Sequence, residues 1–168
     1  MIDFIQFLLA LVFSAFFSGM EIAFLSASRL QVQIESKRGG VGSWMAFLIS
    51  KPSNFIGAML MGNTISLVFV GLKTATLLDP FFLKFSSPAF AVIIETVIST
   101  FVVLFLAEFL PKAFFRNRSN ESLNWFILPL IFFYFLFWPI VTILTGMSRF
   151  LMPKKVRGDQ KEYDPIVF

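Results

Sequence analysis

Cysteine and histidine are both missing from this chain of 168 residues. Without cysteine there is no disulfide and no thiolate chemistry. Without histidine there is no imidazole ligand and no imidazole general base. A metal bound by this chain must therefore be held by oxygen, which suits hard cations. Charge is scarce too, at 14% of residues, where a soluble domain carries about 25%. The formal net charge of +4 sits in short basic flanks and gives no signal for nucleic acid. The residues also exclude an intramembrane enzyme of the usual kinds, since there are no paired aspartates and no serine with an evident base.

What fills the chain instead is hydrocarbon: 57% of residues are hydrophobic and 25 are phenylalanine. The apolar residues are gathered into runs. Residues 4–20 and 52–72 carry no charge, 85–111 carry only Glu95 and Glu108, and 122–148 carry none. A membrane span needs roughly 20 mostly apolar residues, so the fold class is an all-α integral membrane protein embedded in a lipid bilayer. The first run lacks a basic leader and a small-residue cleavage site, and reads as a retained helix.

The pattern predicts three transmembrane helices, near residues 3–26, 53–76 and 88–111. The segment after the first, with Gly39, Gly40 and Gly42 at its centre, reads as a cytosolic pair of short amphipathic helices. A turn is expected around Asp79 and Pro80, and the third span is expected to end at Pro111. The aromatic run that follows is flanked by Lys112, Arg116 and Arg118 on one side and by Arg149, Lys154, Lys155 and Arg157 on the other. Cytoplasmic flanks are rich in Lys and Arg, so both flanks favour the inside. That favours a kinked juxtamembrane belt helix, bent at Pro129 and Pro139, over a fourth straight span. It puts the N-terminus outside and the C-terminus in the cytoplasm. Residues 1–152 form the membrane domain and 153–168 a polar cytosolic tail.

Polar groups at membrane depth are costly and usually face a cavity, a partner or an ion. Ser14, Ser18 and Glu21 share one face of the first helix. Asn63 follows Gly62 in an uncharged run, with Ser66 one turn on. Glu108 lies just before Pro111, which has no N–H, so the carbonyl of Ala107 loses its helical partner. Together Ser18, Glu21, Gly62, Asn63, Ser66, Ala107 and Glu108 offer carboxylate, amide, hydroxyl and carbonyl oxygens to a cation. Each also has a plainer reading: serines bonding back to their own helix, Asn63 tying two helices together, and Glu108 pairing with Lys112 four residues on. Glu95, roughly 20 Å along the helix axis from Glu108, reads as an accessory near the outer end.

The segments FFSGMEIAFLSASR, MLMGNTISLVF and LAEFLPK resemble, in order and spacing, the membrane domain of the CorC/CNNM magnesium transporters. The resemblance covers about residues 5–152. It implies Mg²⁺ as the transported ion, Na⁺-coupled export, a homodimer, and a bacterial inner (plasma) membrane location. Carried over by motif, the ion-binding residues fall on Ser18, Asn63 and Glu108. Ala107 stands where a glycine is common, and Leu67 where a second asparagine occurs in some members. Full-length relatives carry cytosolic CBS domains after this part, so the chain reads as a truncated piece of a longer protein. A membrane scaffold that senses Mg²⁺ without moving it is the alternative.

Overall fold

The structure is a computed structural model, and it describes residues 1–28, 34, 41–82 and 88–151. Among these residues there are helices and no strands. The chain runs as α1 (Ile2–Ser26), α2 (Val41–Ser50), α3 (Pro52–Phe82) and α4 (Pro88–Val102). A π-helical segment follows (Val103–Phe109), then α5 (Leu110–Asn117), α6 (Ser119–Trp125) and α7 (Ile127–Leu151).

Four helical stretches are long and apolar enough to cross a membrane: Ile2–Ser26, Pro52–Phe82, Ala89–Asn117 and Ile127–Met147. The sequence predicts three, and α7 differs from that expectation in having the length and composition of a fourth. The reason lies in the prolines. Pro129 sits at the third position of α7, where its missing N–H has no helical partner to lose, so it opens that helix instead of bending it. Pro139 is accommodated within the same helix. Pro80, expected in a turn, likewise lies inside α3, which continues to Phe82. Of the expected short helix pair, α2 is present, while the partner at 29–38 falls almost wholly outside the described residues.

The third stretch does not end at Pro111. The Leu110 N–H bonds to the Phe105 carbonyl, five residues back, so the pairing has already shifted register before the proline arrives. A π-turn of this kind absorbs the missing donor and lets the helix run on to Asn117.

α1 and α3 make the most extensive helix pair. Their buried stripes explain why. On α3, Phe55, Met59, Gly62, Ser66, Val70 and Thr74 recur every three or four residues and are buried, which places them on one face. On α1, Ala10, Ser14, Phe17 and Ser18 do the same. Small residues on both stripes let the backbones approach closely, as membrane helices require when lipid is as apolar as leucine. At the end holding the N-terminus, Lys73 Nζ lies 2.8 Å from Asp3 Oδ1 and ties α3 to the start of α1. α7 packs along α3, with a Val141 methyl over Gly57. Tyr134 is buried edge-on against Phe47 of α2. Few residues of the stretch Ala89–Asn117 are fully buried, and Phe101, Phe105 and Phe109 stack along it as a ladder of exposed rings.

Candidate functional site

The Ser14 hydroxyl stands where three helical elements meet. Its Oγ is 3.1 Å from Asn63 Oδ1 on α3 and 3.2 Å from the Ala107 carbonyl oxygen in the π segment. A hydroxyl has one proton to donate, so these two acceptors share it. Ser14 is fully buried and Asn63 nearly so. The Ala107 carbonyl accepts from Ser14, and in the ordinary helical register its own partner would be the N–H that Pro111 lacks. This contact ties α1 to the backbone of the π segment.

One turn further along α1, on the same face, the Ser18 hydroxyl is fully buried and meets no hydrogen-bond partner among the described residues. An unpaired buried hydroxyl costs about 1–3 kcal/mol. In this tightly packed seam the Ser18 oxygen is thus left open to a further partner. Ser14, Ser18, Asn63 and the Ala107 carbonyl together present only neutral oxygens, the donor chemistry of a hard cation site.

The other candidate residues lie differently. The Ser66 hydroxyl donates to the Gly62 carbonyl at 2.8 Å, so these two oxygens bond one another within α3. Glu108 is half-buried, and its Oε1 accepts from Lys112 Nζ at 2.9 Å. That is the one-turn ion pair the spacing also allows. Glu21, three residues after Ser18, is half-buried. No three acidic side chains gather into one cluster among the described residues. Ser14, Asn63 and the Ala107 carbonyl meet, while the Glu108 carboxylate, on the residue after Ala107, is turned to Lys112.

The residue that sequence reasoning left out of the ligand set is Ser14. Its signal was present: it lies four residues before Ser18 on the same helical face. Nothing in the sequence marks it as the group that bridges α3 and the π segment.

Residues 4–166 match the family described as the cyclin M (CNNM) transmembrane N-terminal domain. Among curated proteins, the chain is 26% identical to the UPF0053 protein YrkA of Bacillus subtilis, over 90% of this chain and 37% of that one. It is 29% identical to the UPF0053 inner membrane protein YfjD of Escherichia coli, over 83% of this chain and 32% of that one. A UPF0053 protein of Haemophilus influenzae is 26% identical, over 94% of this chain and 39% of its own length. The chain spans less than two fifths of each of these relatives. The match across nearly its whole length, on a bundle of membrane-length helices, places the chain in the CorC/CNNM family of multi-pass membrane proteins.

Proposed function

We propose that this domain moves Mg²⁺ across the membrane through the oxygen cluster between α1, α3 and the π segment, with Na⁺ as the coupling ion. The observation that carries the reading is the buried, unpartnered Ser18 hydroxyl beside the Ser14–Asn63–Ala107 junction. A cation placed there would take the Ser18 oxygen, which has no partner among the described residues, and the lone pairs that the Ser14 bridge leaves open. Mg²⁺ sheds its waters reluctantly, so a site of neutral oxygens would hold it with part of its hydration shell in place. Ser14 suits such a site, because its one proton can turn toward the Ala107 carbonyl and leave its lone pairs to the ion.

Charge must come from Glu108. When it leaves Lys112 and turns toward the cluster, it adds the negative charge that neutral oxygens lack. When it returns, the site weakens and the ion is released. The Glu108–Lys112 pair then acts as the resting position of a movable ligand, and Glu21 as a neighbouring carboxylate on the approach. Glu108→Ala in proteoliposomes should abolish Mg²⁺ flux while the helix content is unchanged. Flux at the wild-type rate would remove Glu108 from the path. Mg²⁺ binding by the wild type with no flux at all would replace transport with sensing.

The finer topology belongs to the same proposal. Both flanks of α7 are basic, and such flanks favour the cytoplasm. α7 is therefore read as a belt lying along the inner face, with the N-terminus outside, although its length would allow a crossing. The absence of native cysteine makes the test direct. The single variants Arg118→Cys and Lys154→Cys should react with a membrane-impermeant maleimide from the same side. Labelling from opposite sides would make α7 a fourth span. The homodimer and downstream CBS domains, which the resemblance implies, complete the proposed assembly.

A further inference from the structure

An open groove of about 510 Å³ lies beside the oxygen cluster, between α1, α3 and α7. Its walls are almost entirely hydrocarbon: Phe13 and Phe17 from α1, Ile65 and Phe69 from α3, Phe133 and Phe137 from α7. Ser66 also lines it, but its proton is given to the Gly62 carbonyl. The remaining polar groups are Gln6 and Lys73, and both lie at one end. Gln6 precedes Phe17 by eleven residues on α1, and Lys73 follows Gly62 by eleven on the antiparallel α3. At 1.5 Å per residue the apolar trough is therefore roughly 16 Å long.

A hydrated cation gains nothing from such walls, and apolar cavities do not hold water well. Hydrocarbon with a single polar end is what an amphiphile needs. Lys73 fixes the chemistry of that end. Its ammonium group has three N–H donors. One is taken by Asp3, and the side chain remains about one quarter exposed. The other donors suit a phosphate oxygen, the acceptor that an ammonium binds as a point charge.

We propose that this trough is a phospholipid site, with one acyl chain between α1, α3 and α7 and the lipid phosphate on Lys73. The chain's end would reach the Phe17 ring, which rests on Gly62, next to Asn63. The site stands on geometry separate from the ion cluster, and its test reads lipid rather than ion.

The full chain is reconstituted in vesicles of phosphatidylethanolamine and phosphatidylglycerol, doped with a phospholipid whose acyl chain ends in a photoreactive diazirine. After illumination, label on Phe13, Ile65 and Phe69 should exceed label on Val68 and Leu72, which face outward from α3, about tenfold. Ile65→Trp, which fills the trough, should remove the label there and leave Val68 labelled. Lys73→Gln should lower trough labelling about tenfold. Asp3→Asn breaks the same ion pair but leaves the ammonium free, and should keep or raise the label. If Lys73→Gln and Asp3→Asn lose label together, the ion pair and not the phosphate contact is responsible, and the headgroup assignment fails. Equal labelling by a photoreactive diacylglycerol, which has no phosphate, overturns it as well. Uniform labelling of trough and outward-facing residues overturns the site. So does trough labelling seen in monomers and absent from dimers, since a second copy would then be the occupant. Doping through phosphatidylethanolamine or through phosphatidylglycerol tells which headgroup is preferred; either supports the proposal.

Discussion

Asn63→Ala should lower Mg²⁺ flux in proteoliposomes roughly a hundredfold without unfolding the bundle. Two losses combine. The amide oxygen is a buried acceptor on α3, 3.1 Å from the Ser14 hydroxyl, and removing it leaves that hydroxyl with the Ala107 carbonyl alone. It also removes a neutral oxygen from a site that has few. A buried polar partner is worth about 1–3 kcal/mol, and the upper end of that range corresponds to about a hundredfold. Asn63→Asp separates position from charge. It keeps an oxygen at the Ser14 contact and adds a negative charge, so Mg²⁺ should bind more tightly and leave more slowly. Wild-type flux in Asn63→Ala would show that the Ser14 bridge only fastens α1 to α3.

Much of this arrangement could be read from the residues, and the rest could not for identifiable reasons. The membrane class followed from uncharged runs, which need no tertiary information. Pro111 pointed to the Ala107 carbonyl, and Ser14 does donate to it, although the helix there pairs in the π register and not in the ordinary one. What the proline does to the rest of the helix was not legible. It depends on the π register set upstream at Val103–Phe109, and no residue in VLFLAEF announces such a turn. Pro129 misled for a related reason: its effect depends on whether it falls in a helix's first turn or its interior, and the boundary at Ile127 is not marked. Ser14 was visible as a neighbour of Ser18 but not as a bridge, since a bridge is fixed by the packing of three elements. Glu108 had two readings of equal local merit, ligand or partner of Lys112. The structure shows the ion pair, and the ligand role passes to a proposed motion.

The other large effect expected is on stability, from Gly62→Ala. A Cβ at Gly62 would lie 2.6–2.7 Å from atoms of the Phe17 ring, closer than packed carbons tolerate. Phe17 is 3% exposed and its ring packs against Phe16, Phe133 and Phe137, so it can yield only toward the trough that it lines. Overpacking of this kind costs about 1–3 kcal/mol, and the methyl should lower the midpoint of thermal unfolding in detergent. Phe17→Leu removes ring atoms from the same spot, so the double variant should recover most of the loss that Gly62→Ala causes alone. Distant sites would simply add their effects, whereas sites in contact couple. Additive losses would therefore show that the α1–α3 seam relaxes around the new methyl. A coupled result also carries a consequence for transport. Gly62 adjoins Asn63, so an α3 pushed off Phe17 should lengthen the Ser14–Asn63 contact, and Gly62→Ala should lose Mg²⁺ flux in step with stability. The double variant should regain both.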